Sequence, residues 1–274
     1  MVLSTEEFSR RKAEYDKLCK EVNIAYQKIE KENEAGSKGK TYMRAFPACK
    51  EINLWTYWQG YNAMAPKILV IGQDFGCPFG SAFGNETEYL KLIRKTEKDG
   101  GLHYFDIDSD KKMSATDVNL DALFRSLGCG YDNVIGQRYD DIFFTNICLG
   151  YRNNGNSGDF KKSWITDAEK FAYPRLLKIL KPKVIICLGQ HTYDCFLNVL
   201  ETKDARNRHN FNQFITENCK EPFKVVDIPV FAVAHCGVMG TLNRNRVKSK
   251  ENEKVTASLD IQIEDWSYIK KYLQ

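Results

Sequence analysis

Three polar residues stand in or just after apolar runs of the chain: Asp74 after the first, Asn146 within the second and His235 after the last. Asp74 lies in KILVIGQDFG, Asn146 in DIFFTNICL and His235 just after IPVFAVA. Each run is short, nearly continuous and rich in β-branched or aromatic residues, the pattern of a strand buried on both faces of a parallel sheet. In an open α/β sheet, ligands bind beyond the carboxyl ends of the strands. A carboxylate, an amide and an imidazole delivered to one such edge can converge on one ligand. Each also has a structural alternative: Asp74 as a helix cap, Asn146 as the partner of a backbone bulge, His235 as a packed core histidine. An acid and an imidazole also suit hydrolysis by a nearby nucleophile, for which Cys77 and Cys236 are the candidates.

The elements that must position these residues follow from periodicity. Thr5 to Glu34 places Phe8, Tyr15, Leu18, Val22, Ala25, Tyr26 and Ile29 on one helical stripe. An aromatic stretch over 44–61 precedes the first strand, 67–71. Helices are predicted over 87–97 and 118–127, and a second strand over 141–149. Thr166 to Leu180 reads as a helix that opens on a capping box formed by Thr166 and Glu169, with Pro174 as a local misfit. Strands over 183–188 and 228–234 and helices over 192–200 and 261–273 complete the pattern, with 201–221 polar and helical. Strands alternating with helices imply a three-layer α/β/α sandwich with a four-stranded parallel sheet. The expected division is an N-terminal helical appendage, 1–53, and an α/β domain, 54–274.

Composition sets outer limits. The chain has 274 residues, is 43% hydrophobic and 28% charged, and carries a net charge of +4. That is a globular composition, and the charge permits a polyanionic partner without requiring one. It contains no apolar run long enough to span a bilayer, and its first residues, MVLSTEEFSRRK, lack the pattern of a secretory signal. The nine cysteines form no CxxC pair, so reduced thiols in a cytoplasm are expected, with no zinc or iron–sulfur site and no cofactor. No GxxxxGK[ST], GxGxxG or GxSxG motif occurs.

Four segments, in order, resemble the uracil-DNA glycosylase superfamily: GQDFG at 72–76, FFTNICLGYRNNGN at 143–156, LKPKVIICLG at 180–189 and AHCGVMGTLNR at 234–244. They span about 67–246 and fall on the expected elements. The resemblance implies a glycosylase that flips a base out of DNA and hydrolyses its glycosidic bond. Asp74 matches the acid that stabilises the sugar cation and orients water. His235 matches the histidine that steadies the departing base anion. Asn146 matches the amide that reads a pyrimidine edge, with Gln73 and Phe75 beside it. Phe83, or else Phe79, would stack on the base. The segment from Gly237 to Thr241 would press on the DNA backbone, with Met239 or Leu242 as an apolar wedge. Arg244, Arg246 and Lys248 would then meet phosphates.

This sequence departs from that pattern at identifiable places. Phe75 replaces the proline after the acid, and Gly76 replaces the tyrosine that bars thymine, which leaves the C5 side of the base either open or filled by Phe75. Cys236-Gly237 replaces Pro-Ser after the histidine. The cluster-bearing families' cysteines are missing. The expectation is thus a monomeric, cofactor-free glycosylase acting on DNA with uracil or a related deaminated base. The alternative is a member of the fold that binds nucleobase, nucleotide or DNA without excision.

Overall fold

The computed structural model describes residues 3–36, 43–44, 64–74, 115–129, 142–152, 161–207, 210–246 and 258–274. Its centre is a sheet whose strands are β2 (Ile68–Gly72), β3 (Ile142–Asn146), β5 (Val184–Leu188), β6 (Phe223–Val225) and β7 (Ile228–Val233). The strand order is β3-β2-β5-β7-β6. The first four strands run parallel, in a register that sets Gly72 beside Asn146 and Leu188 beside Val233. Every residue of β2, β3 and β5 is buried, as their continuous apolar sequences require.

Successive strand residues feed two separate cores, because side chains alternate across a sheet. Leu69, Ile71, Phe143, Ile185, Cys187, Val230 and Ala232 meet one set of helices: α1 (Thr5–Gly36), α3 (Asp167–Leu180) and α4 (Gln190–Val199). Ile68, Val70, Phe144, Val184, Ile186, Phe231 and Val233 meet α2 (Ala115–Ser126), Trp266 of α7 (Asp260–Ser267) and part of α5 (Phe211–Lys220). The fold is therefore α/β with helices on both faces.

The expected four-stranded parallel sheet is corrected to a mixed sheet of five strands. β6 adds antiparallel to β7 at the edge, through a two-residue turn at Val226 and Asp227, both at positive φ (49° and 66°). Such turns normally announce themselves through Asn-Gly or Asp-Gly. A β-branched valine in the left-handed region gives no such signal, and a three-residue strand shows no periodicity. A second, two-stranded ribbon pairs β1 (Met43–Arg44) with β4 (Tyr151–Arg152). The polar stretch over 201–221 is helical only from Phe211, and the terminal helix stops at Ser267 before a short 3-10 turn.

Helix α1 is docked along most of its stripe: Tyr15, Leu18, Val22 and Tyr26 are all buried in the first core, while Phe8 is 42% exposed. Arg11 Nη1 donates to the carbonyls of Met64 and Leu180, at 2.9 and 3.2 Å. The expected boundary at 53/54 falls outside the described residues, as do the predicted helix at 87–97 and all but Arg44 of the aromatic stretch. At α3 the capping box forms as read: Thr166 Oγ1 accepts from Ala168 N, and the Glu169 carboxylate accepts from Thr166 N at 2.8 Å. Pro174 is accommodated inside α3.

Candidate active site

In chain order the four parallel strands, β2, β3, β5 and β7, sit in the sheet as second, first, third and fourth. Between β2 and β5 the winding direction reverses, and the crevice at such a switch point is where open α/β sheets hold ligands. Gln73 and Asp74 leave β2 at this place, both half-buried. Asn146 ends the neighbouring β3, and His235 follows β7 two strands away. The intervening β5 ends in Gly189, at φ 99°, where a Cβ would stand 4.0 Å from His235 Cβ. Asp74 and His235 thus follow the two strands that border β5, whose end is followed by a residue without a side chain.

Backbone hydrogen bonds extend the β2–β3 pairing beyond the strands. Ile147 N donates to Gly72 O at 2.8 Å and Cys148 N to Gln73 O at 3.2 Å. The Asn146 side chain folds across Gly72, so a Cβ built there would lie 2.2 Å from Oδ1. Behind Asn146, Tyr173 Oη donates to its carbonyl. One turn away, the fully buried Glu169 accepts from Leu149 N at 3.0 Å and from Tyr26 Oη. Burial raises the Glu169 carboxyl above its ordinary value against the pull of these donors.

His235 is held from several sides. Gly237 N–H donates to its Nδ1 at 3.0 Å. A neutral imidazole accepting at Nδ1 carries its proton on Nε2. Burial lowers the His235 pKa, and the negative charge of Asp74 opposes that shift. Helix α6 (Val238–Asn245) packs on it so closely that a Cβ at Gly240 would meet the His235 carbonyl oxygen at 2.0 Å.

Hydrogen bonds on either side fix the neighbouring carbonyls. Asn119 Nδ2 donates to Cys236 O at 2.7 Å, and Gln262 Nε2 to Ala234 O at 3.3 Å. Thr241 Oγ1 joins the two by accepting from Asn119 at 3.4 Å and donating to Gln262 Oε1 at 2.8 Å. Sequence reading missed Asn119, Gln262, Tyr173 and Glu169 as parts of this site. The first three lie inside helical patterns where a polar residue has no distinguishing sign. Glu169 was legible only as a cap.

The loop expected to face DNA divides in two. Met239 is 65% exposed, Gly237 is half-buried and Arg246 is exposed. Thr241 is fully buried as the hub just described. Arg244, expected at a phosphate, is 2% exposed. Its guanidinium makes a bidentate ion pair with Asp265 at 2.7 and 2.6 Å and also reaches Asn212 O and Thr216 Oγ1. With its charge fully engaged inside the fold, it pins α6 to α5 and α7 and has no face left for a phosphate.

Cys236 is buried in the second core, 1% exposed, which withdraws it as a hydrolytic nucleophile. Phe75, Phe79, Phe83, Cys77 and Lys248 lie outside the described residues. Among the described residues no group of three or more His, Cys, Asp or Glu could hold a metal ion, and no helix is long and apolar enough to cross a membrane. No family model and no curated protein matches the chain.

Proposed function

We propose that the chain is a DNA base glycosylase of the uracil-DNA glycosylase superfamily, hydrolysing the N-glycosidic bond of uracil or a related deaminated base. The observation that supports this reading is that Asp74 and His235 follow the strands on either side of β5, with Asn146 ending the strand beside β2. The ordered sequence motifs supply the identity of the chemistry, and the geometry is compatible with it.

In this reading the flipped nucleotide enters the crevice over Gly189. Asn146 pairs with the edge of the base, and Phe83 or Phe79 stacks on it. As the C1′–N bond breaks, its electron pair stays on the base and the sugar becomes cationic. Asp74 stabilises that cation and orients the water whose oxygen bonds to C1′, and takes the proton that the water sheds, which then passes to solvent or to the released base anion. The neutral His235 directs Nε2–H at a carbonyl oxygen of the departing base, so that negative charge develops against a donor already in place. A low imidazole pKa suits this role, because the donor is then neutral and available at physiological pH. Gly237 and the exposed Met239 would meet the DNA, with Arg246 near a phosphate.

The test is excision from oligonucleotides holding one uracil, single-stranded and opposite G or A. Alkali-labile product from the parent protein, lost or strongly slowed in Asp74→Asn and His235→Ala, is the expected result. Protein that binds these DNAs yet releases no uracil, hypoxanthine or mismatched thymine would instead establish a binding module.

A further inference from the structure

We propose that Asn119, on a helix remote in sequence from the catalytic motifs, is the positioning residue that sets the tautomer of His235. It acts through one rigid unit. The Cys236 carbonyl and the Gly237 N–H belong to the same peptide group, which is planar and trans, so its two ends point in opposite directions. Asn119 Nδ2 holds the oxygen end at 2.7 Å. The nitrogen end meets His235 Nδ1 at 3.0 Å. Fixing the oxygen therefore fixes the direction in which the N–H points. With that donor in place, Nδ1 keeps its lone pair and the proton resides on Nε2.

Gly237 is the first residue before α6 and has no side-chain cap. A Cβ at Gly237 would crowd His235 Nδ1 at 3.1 Å and Thr116 Oγ1 at 3.3 Å, so glycine lets the peptide lie flat against both the ring and α2. The second bond of Asn119, to Thr241 Oγ1, links it to Gln262 and thence to the carbonyl of Ala234. Residues 234 and 236 are thereby anchored to α7 and α2 on either side of the imidazole. Among the described residues the charged group acting on His235 is Asp74, from the end of β2, and the proposal leaves that interaction unchanged. The proposal deepens the site reading above, but its primary readout is bond geometry and does not depend on the substrate.

The experiment uses the full chain labelled with ¹⁵N at histidine, as parent, Asn119→Ala and Asn119→Asp. The aspartate has nearly the shape of asparagine and, when ionised, no proton to offer Cys236. The parent should show His235 protonated at Nε2 alone. In both variants the Nε2–H to Nδ1–H ratio should fall about five- to ten-fold, the loss of one hydrogen bond. The titration midpoint of His235 should rise by about half to one unit, because a bond made only to the neutral form has gone. His191, which does not share this peptide, reports whether the fold persists. If excision occurs, kcat should fall at unchanged KM and the acid limb of its pH profile should move upward. A parent with the proton on Nδ1 would overturn the proposal. So would variants with lowered Tm but an unaltered His235 tautomer and midpoint, because Asn119 would then be only structural. Absence of excision in the parent, with the expected NMR changes, would overturn the glycosylase reading and leave the role of Asn119 intact.

Discussion

Gly72 and Asn146 are register partners at the ends of two parallel strands, and the amide of Asn146 occupies the space where a Cβ of Gly72 would be. The same Cβ would also meet Phe144 Cε2 at 2.9 Å. Gly72→Ala should therefore destabilise the protein by about 1–3 kcal/mol through overpacking, although alanine is ordinarily better than glycine within a strand. Asn146→Ala added to Gly72→Ala should recover part of that loss, which thermal unfolding of the double-mutant cycle would read. Any excision activity should already be lost in Gly72→Ala, since the amide is displaced.

His235 gives a signed pH dependence. Its folded-state pKa lies below the ordinary value of about 6.5 because burial penalises the cation. Between those two values the unfolded chain binds a proton that the folded chain does not. Stability is therefore fully present above about pH 6.5, declines as pH falls below it, and levels off below the folded-state pKa. The decline should be shallower in His235→Asn when Tm is followed from pH 8 to 5. It should not vanish, because His191 is shifted downward by burial as well.

The two arginines of α6 and its end should separate cleanly. Arg244→Met leaves Asp265 charged and buried, and should cost about 3–5 kcal/mol. Arg244→Met with Asp265→Leu should recover most of that in denaturant unfolding. Arg246→Ala, at an exposed position, should stay within about 0.5 kcal/mol of the parent. If the chain binds DNA, Arg246→Ala should also lower the slope of log affinity against log salt by about one.

Glu169 links the N-terminal helix to the loop that follows Asn146. Tyr26→Phe removes the donor to Glu169 and the oxygen that faces the Gly150 backbone, and should cost about 1–2 kcal/mol. Glu169→Ala strands Leu149 N, Thr166 N, Thr166 Oγ1 and Tyr26 Oη, and should cost more than about 3 kcal/mol. Hydrogen exchange at the Leu149 amide should accelerate greatly in Glu169→Ala and change little in Tyr26→Phe.

The sequence by itself determined the four parallel strands, because a run such as ILVI or VIICL can be satisfied only by burial on both faces. It also determined the stripe on α1, the cap of α3 and the three strand ends that carry Asp74, Asn146 and His235. These are local properties, with periods of two or 3.6 residues or fixed offsets along the chain. Strand order and the partners of polar side chains were settled only in three dimensions. The β6–β7 hairpin turns on Val226 and Asp227, whose left-handed backbone is imposed by pairing and not by their own preference. Arg244 reads as a surface cation until Asp265, 21 residues on, meets it inside the fold. Asn119 and Cys236, 117 residues apart, share a hydrogen bond that no spacing announces. A side chain's chemistry is written in its type, but its partner is chosen by which elements the sheet brings together.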